Sequence, residues 1–154
     1  MGTDRVTVRW TTKRQMIAWN EAGRHGIVMD SPTLYDGEDT GARPLEVFLE
    51  ALGACTAMDV ASLLEKKRQP FTGLEIQVTA RQREDEYPKI YTDIEMLYVV
   101  TGHDVDPVAV ARSIELSDDK YCTVRGMLGP QVTVTTSYRV EAARPDAADE
   151  SQDG

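Results

Sequence analysis

Residues 43–68 read RPLEVFLEALGACTAMDVASLLEKKR, and the fold turns on this stretch. Pro44 suits the first position of a helix, where its missing N–H would have no intrahelical partner anyway. From there to Leu64 the chain has almost no polar interruption. Leu45, Val47, Phe48, Leu49, Leu52, Ala54, Cys55, Ala57, Met58, Val60, Ala61, Leu63 and Leu64 cover every side of a 3.6-residue period. A helix apolar all round is either buried in protein or spans a membrane. Glu50 and Asp59 leave no uncharged apolar run of about 18 residues, so a buried central helix is the expectation. At 1.5 Å per residue it would be roughly 33 Å long, sheathed on several sides. Its middle carries Cys55, one of two cysteines in the chain.

Alternating strands flank this helix. RVTVRW at residues 5–10 alternates through Val6, Val8 and Trp10; QMIAWN at 15–20 and residues 26–29 give two more short strands. Short connections between them predict an antiparallel meander. Residues 30–41, DSPTLYDGEDTG, are a loop by composition. After the helix, Leu74, Ile76, Val78 and Ala80 alternate with Glu75, Gln77, Thr79 and Arg81. Residues 90–100 then alternate again, giving a long hairpin with one covered face. Asp106-Pro107 is a helix cap followed by proline. Ser117 reads as the cap of a further short helix carrying Tyr121, Cys122 and Arg125, with Asp118 and Asp119 in its first turn. Residues 131–140 form a last strand. Three strands, a long helix, two strands, two helices and a strand make an α+β fold with a largely antiparallel sheet.

The chain has 154 residues, 41% of them hydrophobic, enough for one domain with a real core. We expect that domain to span residues 1–141, followed by a disordered acidic tail at 142–154. The net charge is −9; the tail carries −3 of it, leaving −6 elsewhere. An acidic surface argues against nucleic-acid binding, which needs clustered Lys and Arg. The run Lys66-Lys67-Arg68 complements a helix C-terminus. Arg5, Arg9 and Arg14 break up any apolar leader, and position 6 lacks the hydroxyl of a myristoylation signal. A cytoplasmic setting with free thiols follows as an expectation, with no membrane partner.

With Cys55 on a buried helix and Cys122 before the last strand, the chain resembles the OsmC/Ohr family over roughly residues 5–141. The resemblance is carried by Pro44-Leu45-Glu46, by Gly53-Ala54-Cys55-Thr56-Ala57-Met58-Asp59-Val60 and by Gly73-Leu74-Glu75. Leu116-Ser117-Asp118-Asp119-Lys120-Tyr121-Cys122-Thr123-Val124 and the closing strand complete it. It implies an OsmC-like fold in an intertwined homodimer, with two long helices wrapped between two sheets and the thiols near the dimer interface. It implies no organic or metal cofactor. Peroxidatic members reduce organic hydroperoxides: the first cysteine attacks as thiolate and becomes a sulfenic acid, the second closes a disulfide, and a dithiol donor restores both. The resemblance assigns those roles to Cys55 and Cys122. In the peroxidatic branches a Glu directly after the helix-start proline orients an activating Arg. Here Leu45 follows Pro44 and the acid comes one residue later, at Glu46. This pattern, with Asp59 after the cysteine, resembles a separate, less characterised branch.

Elementary chemistry leaves alternatives beside each role. A reactive thiol needs a lowered pKa and access, yet Cys55 sits among apolar residues and Asp59, four residues on, shares its helix face. A cation would have to come from Arg24, Arg43, Arg125 or a partner subunit. Glu46, nine residues before Cys55, is on the opposite side of a straight helix; it suits the dipole at the helix start or partners an Arg across a dimer. Arg43 either holds the loop or serves as that Arg. Cys122 is a resolving thiol or a packing residue. Asp59 needs a polar partner if buried. His25 and His103 lie in loops, and without a CxxC or a close histidine pair no metal site is expected. Two functions therefore compete: a Cys55/Cys122 thiol peroxidase for organic hydroperoxides, and a non-catalytic dimeric protein holding a small apolar ligand in its interface pocket.

Overall fold

The computed structural model describes residues 3–143. The part of the expected acidic tail from residue 144 onward lies outside them; Ala142 itself ends a strand. The described chain divides into two compact units between Leu49 and Glu50.

The first unit holds β1 (Val6–Thr12), β2 (Gln15–Asn20) and β3 (His25–Met29) in the expected antiparallel meander. β2 begins and ends at the residues the alternation marks. Arg24, with φ of 57°, closes the turn into β3 in the left-handed region. The loop that follows is organised around a residue whose role composition does not reveal. Asp30 is buried, and its carboxylate accepts from the N–H of Ser31 (2.8 Å), Glu38 (3.2 Å) and Thr40 (3.2 Å) and from the Thr40 hydroxyl (2.7 Å). These donors, the Thr40 hydroxyl first, hold the Asp30 carboxyl below its ordinary pKa. Gly37 closes the same loop so tightly that a Cβ there would lie 1.7 Å from the Ser31 carbonyl oxygen.

Helix α1 runs from Pro44 to Lys66, 23 residues. Its first turn belongs to the first unit and the rest to the second. Mean hydropathy over an 18-residue window is 1.6, enough by length and composition to cross a membrane. In the structure, however, one face of α1 packs within protein: Leu52, Gly53, Thr56, Val60 and Leu64 are buried at helical spacing, and Gly53 lies against Val78. All-round apolarity predicts burial on several sides. Within one chain a single stripe is covered, while Met58 is 73% exposed and Leu45 43%. A helix apolar all round needs more cover than one three-stranded sheet supplies.

The second unit holds β4 (Phe71–Gln82), β5 (Tyr91–Gly102) and β6 (Thr133–Ala142), in the order β4-β5-β6. β4 and β5 form the expected antiparallel hairpin, with Gln77 opposite Leu97 and Val78 opposite Met96. Leu74, Ile76, Val78 and Ala80 alternate with exposed residues as read from the sequence. Ile94, Met96, Tyr98 and Val100 of the central strand are fully buried or nearly so. β6 departs from the antiparallel expectation: it pairs parallel to β5, Tyr98 opposite Tyr138. The chain reaches it through α2 (Pro107–Leu116) and a following helical segment, and such a long crossover brings the next strand in parallel. At the start of α2 the Asp106 side chain accepts from the Val108 N–H at 2.9 Å, the predicted cap.

The segment after α2 also differs from expectation. Ser117 does not cap a new helix. The chain continues without a break into a π-helical turn, Ser117–Tyr121, and only then begins the four-residue helix α3 (Thr123–Gly126). Cys122 is the cap of α3, its sulfur accepting from the Arg125 N–H at 3.4 Å. A π turn inserts one residue into the helical ladder and is frequent at functional sites. Here it sets where Cys122 and Ser117 point.

A two-cysteine candidate functional site

Cys55 and Asp59 stand four residues apart on α1 and so share a face. Cys122 meets that face from the end of the π turn. The two sulfurs and a carboxylate oxygen of Asp59 all lie within 4.8 Å of one another. Both cysteines are free thiols. A separation of 67 positions says nothing about proximity; the fold supplies it.

The two thiols differ in access. Cys55 is half-buried, whereas Cys122 is buried, with 5% of its surface exposed. Burial pushes the Cys122 thiol up to about 11; the Arg125 N–H moderates this, while Cys55 and the Asp59 charge add to it. Cys122 lies not within the expected helix but at the cap of a four-residue one, and at that place burial outweighs what the helix N-terminus contributes.

Asp59 has a partner, as a half-buried carboxylate in an apolar helix requires. The Ser117 hydroxyl donates to its Oδ2 at 3.2 Å. Ser117 is fully buried, so this bond ties the π turn to α1. Beside the cysteines lies a second polar group of residues. Arg125 Nε is 3.7 Å from Asp118 Oδ1. Burial holds the Asp118 carboxyl above its ordinary pKa, with Arg125 and the Thr136 hydroxyl pulling the other way. Tyr98 is fully buried, and among the described residues its hydroxyl has no hydrogen-bond partner. The neighbouring Thr56 hydroxyl donates to the Gly53 carbonyl at 3.0 Å, and its oxygen pulls the Tyr98 phenol down against burial. Burial pushes the Tyr98 phenol up to about 12. Of these residues, Tyr98 has no signal in the sequence beyond strand alternation, and Ser117 and Asp118 read there as helix-start residues with no link to Asp59 or Arg125.

Arg43 and Glu46 pair with each other in the first unit. The Glu46 Oε1 accepts from Arg43 Nε at 2.9 Å and Nη2 at 2.6 Å, and Oε2 accepts from the Arg43 backbone N–H at 2.8 Å. The backbone contact is half of a capping box: a third-position acid reaching back to the residue before the helix. The Arg43 guanidinium beside it holds the Glu46 carboxyl below its ordinary pKa. Thus Glu46 does hold an arginine, but one of its own chain, three residues back. Neither His25 nor His103 belongs to the cysteine cluster.

Comparison with known proteins agrees with this architecture. The family model described as OsmC-like protein matches residues 37–137. Protein YhfA of Escherichia coli strain K12 is 39% identical over 136 residues, covering 88% of this chain and 97% of the relative. The crystal structure of a hypothetical protein from Aquifex aeolicus VF5 is 29% identical, with a TM-score of 0.80 over 93% of this chain and 99% of that one. An organic hydroperoxide resistance protein OsmC from Legionella pneumophila shares the fold at 11% identity, with a TM-score of 0.68 over 91% of this chain and 98% of that one. On the family match and the likeness to YhfA along nearly its whole length, the chain belongs to the OsmC/Ohr family.

Proposed function

We propose that this protein reduces organic hydroperoxides through a Cys55/Cys122 redox pair. The observation that carries the reading is the approach of the two sulfurs, within 4.8 Å of each other, with Cys55 the more accessible. The Cys55 thiolate attacks the outer oxygen of the hydroperoxide; the O–O bond breaks, the alkoxide takes a proton and leaves as the alcohol, and Cys55 becomes a sulfenic acid. The Cys122 sulfur then attacks the Cys55 sulfur. The S–O bond breaks, the Cys122 proton leaves with the hydroxyl as water, and a disulfide forms. A dithiol reductant returns both thiols by exchange. The N–H of Arg125, 3.4 Å from the Cys122 sulfur, favours negative charge there as that thiol gives up its proton. The name of the fold relative from Legionella pneumophila, organic hydroperoxide resistance protein, points the same way.

The same proposal includes a homodimer in a reducing, cytoplasmic setting. Met58 of α1 and Val6, Val8 and Trp10 of β1 are all more than half exposed in the single chain, and an interface between two copies would cover them. Glu46 is proposed to replace the family acid displaced by Leu45, orienting Arg43 as an arginine that supports catalysis; the formed pair supports this part of the proposal. A competing reading, an apolar-ligand-binding dimer without catalysis, draws on Leu45 after Pro44 and on the Asp59 charge beside the sulfurs.

Sulfenic-acid trapping separates the two. In a Cys122→Ser variant treated with an alkyl hydroperoxide, a dimedone adduct on Cys55 is expected. Wild type should instead give an intramolecular disulfide and one alcohol per protein. No adduct and no disulfide would refute the peroxidase. Slower turnover in Glu46→Gln, with the fold intact, would support the role of the Arg43 pair; unchanged turnover would remove it.

A further inference from the structure

The cluster of Cys55, Asp59 and Cys122 offers more than a redox pair. We infer that in the reduced protein these three side chains form a binding site for a thiophilic divalent cation of the zinc class, with Ser117 orienting the carboxylate.

The donor set suits such an ion. Two thiolates and a carboxylate bind zinc with sulfur at about 2.3 Å and oxygen at about 2.0–2.2 Å in a tetrahedron. Those bond lengths place the two sulfurs about 3.8 Å apart and each sulfur about 3.5 Å from the oxygen. All three atoms already lie within 4.8 Å of one another, so small side-chain rotations close the site. Cys55 and Asp59, at i and i+4 on α1, present their ligand atoms from one rigid element. Cys122 is fixed from the opposite side by its cap position. The Ser117 hydroxyl engages Oδ2 of Asp59 at 3.2 Å, one of several lone-pair positions of the carboxylate, so acceptor capacity remains for the ion. Such outer hydrogen bonds orient metal-ligating carboxylates. Three protein ligands leave a fourth position for water or a small ligand.

Neither histidine takes part, which is why counting His and Cys in the sequence does not reveal the set. Asp59 also acquires a function here. Beside a thiolate its charge is a handicap; beside a dication it offsets part of the positive charge. Binding is a simple exchange: two thiol protons are released and two metal–sulfur bonds form, with no change of oxidation state. A disulfide between Cys55 and Cys122 would remove both sulfur ligands, so metal loading and disulfide formation exclude one another. The inference stands on the three-residue geometry and does not need the peroxidase reading to hold.

Cobalt(II) is the probe, because thiolate ligation gives it an intense near-ultraviolet charge-transfer band and tetrahedral geometry gives strong visible bands. Reduced wild-type protein should bind one cobalt per chain with both features, and zinc should displace it. Cys122→Ser should lose at least about half of the charge-transfer intensity, one of the two thiolates being gone. Asp59→Asn, checked for an unchanged circular dichroism spectrum, should bind at least tenfold more weakly. Absence of a charge-transfer band in reduced wild type would overturn the inference, as would undiminished intensity in Cys122→Ser. Affinity in folded Asp59→Asn equal to wild type would overturn the three-residue site. Alkylation rates of both thiols, measured with and without zinc, give a readout that does not depend on cobalt. Zinc should protect Cys55 and Cys122 together, and equal rates with and without it would contradict the site.

Discussion

The division of labour between the two thiols can be tested on Cys122 alone. In a Cys55→Ser variant, Cys122 is the one remaining thiol. Burial, the leading cause, pushes it up to about 11, and burial persists in the variant. The rise of about 2 units from the ordinary value of 9.0 means that at neutral pH the thiolate population of Cys122 is roughly 100-fold smaller than that of an unperturbed cysteine. Removing Cys55 relieves a smaller contribution, so a retardation of at least about 10-fold is a conservative expectation. The assay is alkylation by iodoacetamide, followed by mass spectrometry across a series of pH values, with a small free thiol as reference. The rate should rise about tenfold per pH unit and show no levelling until well above the free-cysteine value. A midpoint at or below about 8.5, or a neutral-pH rate matching the free thiol, would refute the assignment of Cys122 as the buried partner. It would also reopen the question of which cysteine attacks first.

Other expectations concern the frame around the site. Tyr98→Phe removes a fully buried hydroxyl that has no partner among the described residues. Leaving such a group unpaired costs about 1–3 kcal/mol, so the variant should be at least as stable as wild type, with Tm higher by about 2–4 °C per kcal/mol gained. A fall of more than about 1 kcal/mol would mean the hydroxyl has a partner after all. Leu64→Ala, at a fully buried position of the α1 stripe, should cost about 2–5 kcal/mol in chemical denaturation, and a cost below about 1 would show that the stripe is not core. Asp30→Ala should lower Tm, since four donors lose their acceptor. In wild type the Asp30 carboxyl is held below its unfolded value. Its contribution is therefore fully present above the unfolded pKa of about 3.9 and is lost as pH falls through the lower folded value. A wild-type-minus-variant difference in Tm that stayed constant down through this window would contradict the role of the ionised carboxylate.

Much of this architecture is legible in the sequence, and what is not has a physical cause. Periodicity locates β2 and the alternating face of β4, and the Asp106-Pro107 pair locates the cap of α2, because those features are encoded within a few residues. The all-round apolarity of α1 is equally plain, but which face packs is not. The buried stripe through Leu52, Thr56, Val60 and Leu64 and the exposed Met58 are both apolar, so apolarity alone does not separate them. The parallel pairing of β6 cannot be read from its own alternation, since a strand has the same period in either direction. The π turn escaped because Ser117 with two following aspartates looks like a helix start; a helix that continues with one extra residue per turn has no separate signature. That turn decides the chemistry: it makes Cys122 a buried cap and sets Ser117 against Asp59. The family motifs mark the cysteines themselves, whereas Asp59 stands out only as an acid within an apolar helix. Its partner became visible only when residues 58 positions apart met.

The central claim is that Cys55 and Cys122 form one working redox pair. The most direct test is consumption of an organic hydroperoxide by reduced protein supplied with a dithiol, comparing wild type with Cys55→Ser and Cys122→Ser. A working pair gives turnover by wild type, none by Cys55→Ser, and a single turnover at most by Cys122→Ser when the dithiol is withheld. Absence of turnover by wild type, or turnover that survives the loss of Cys55, would contradict it.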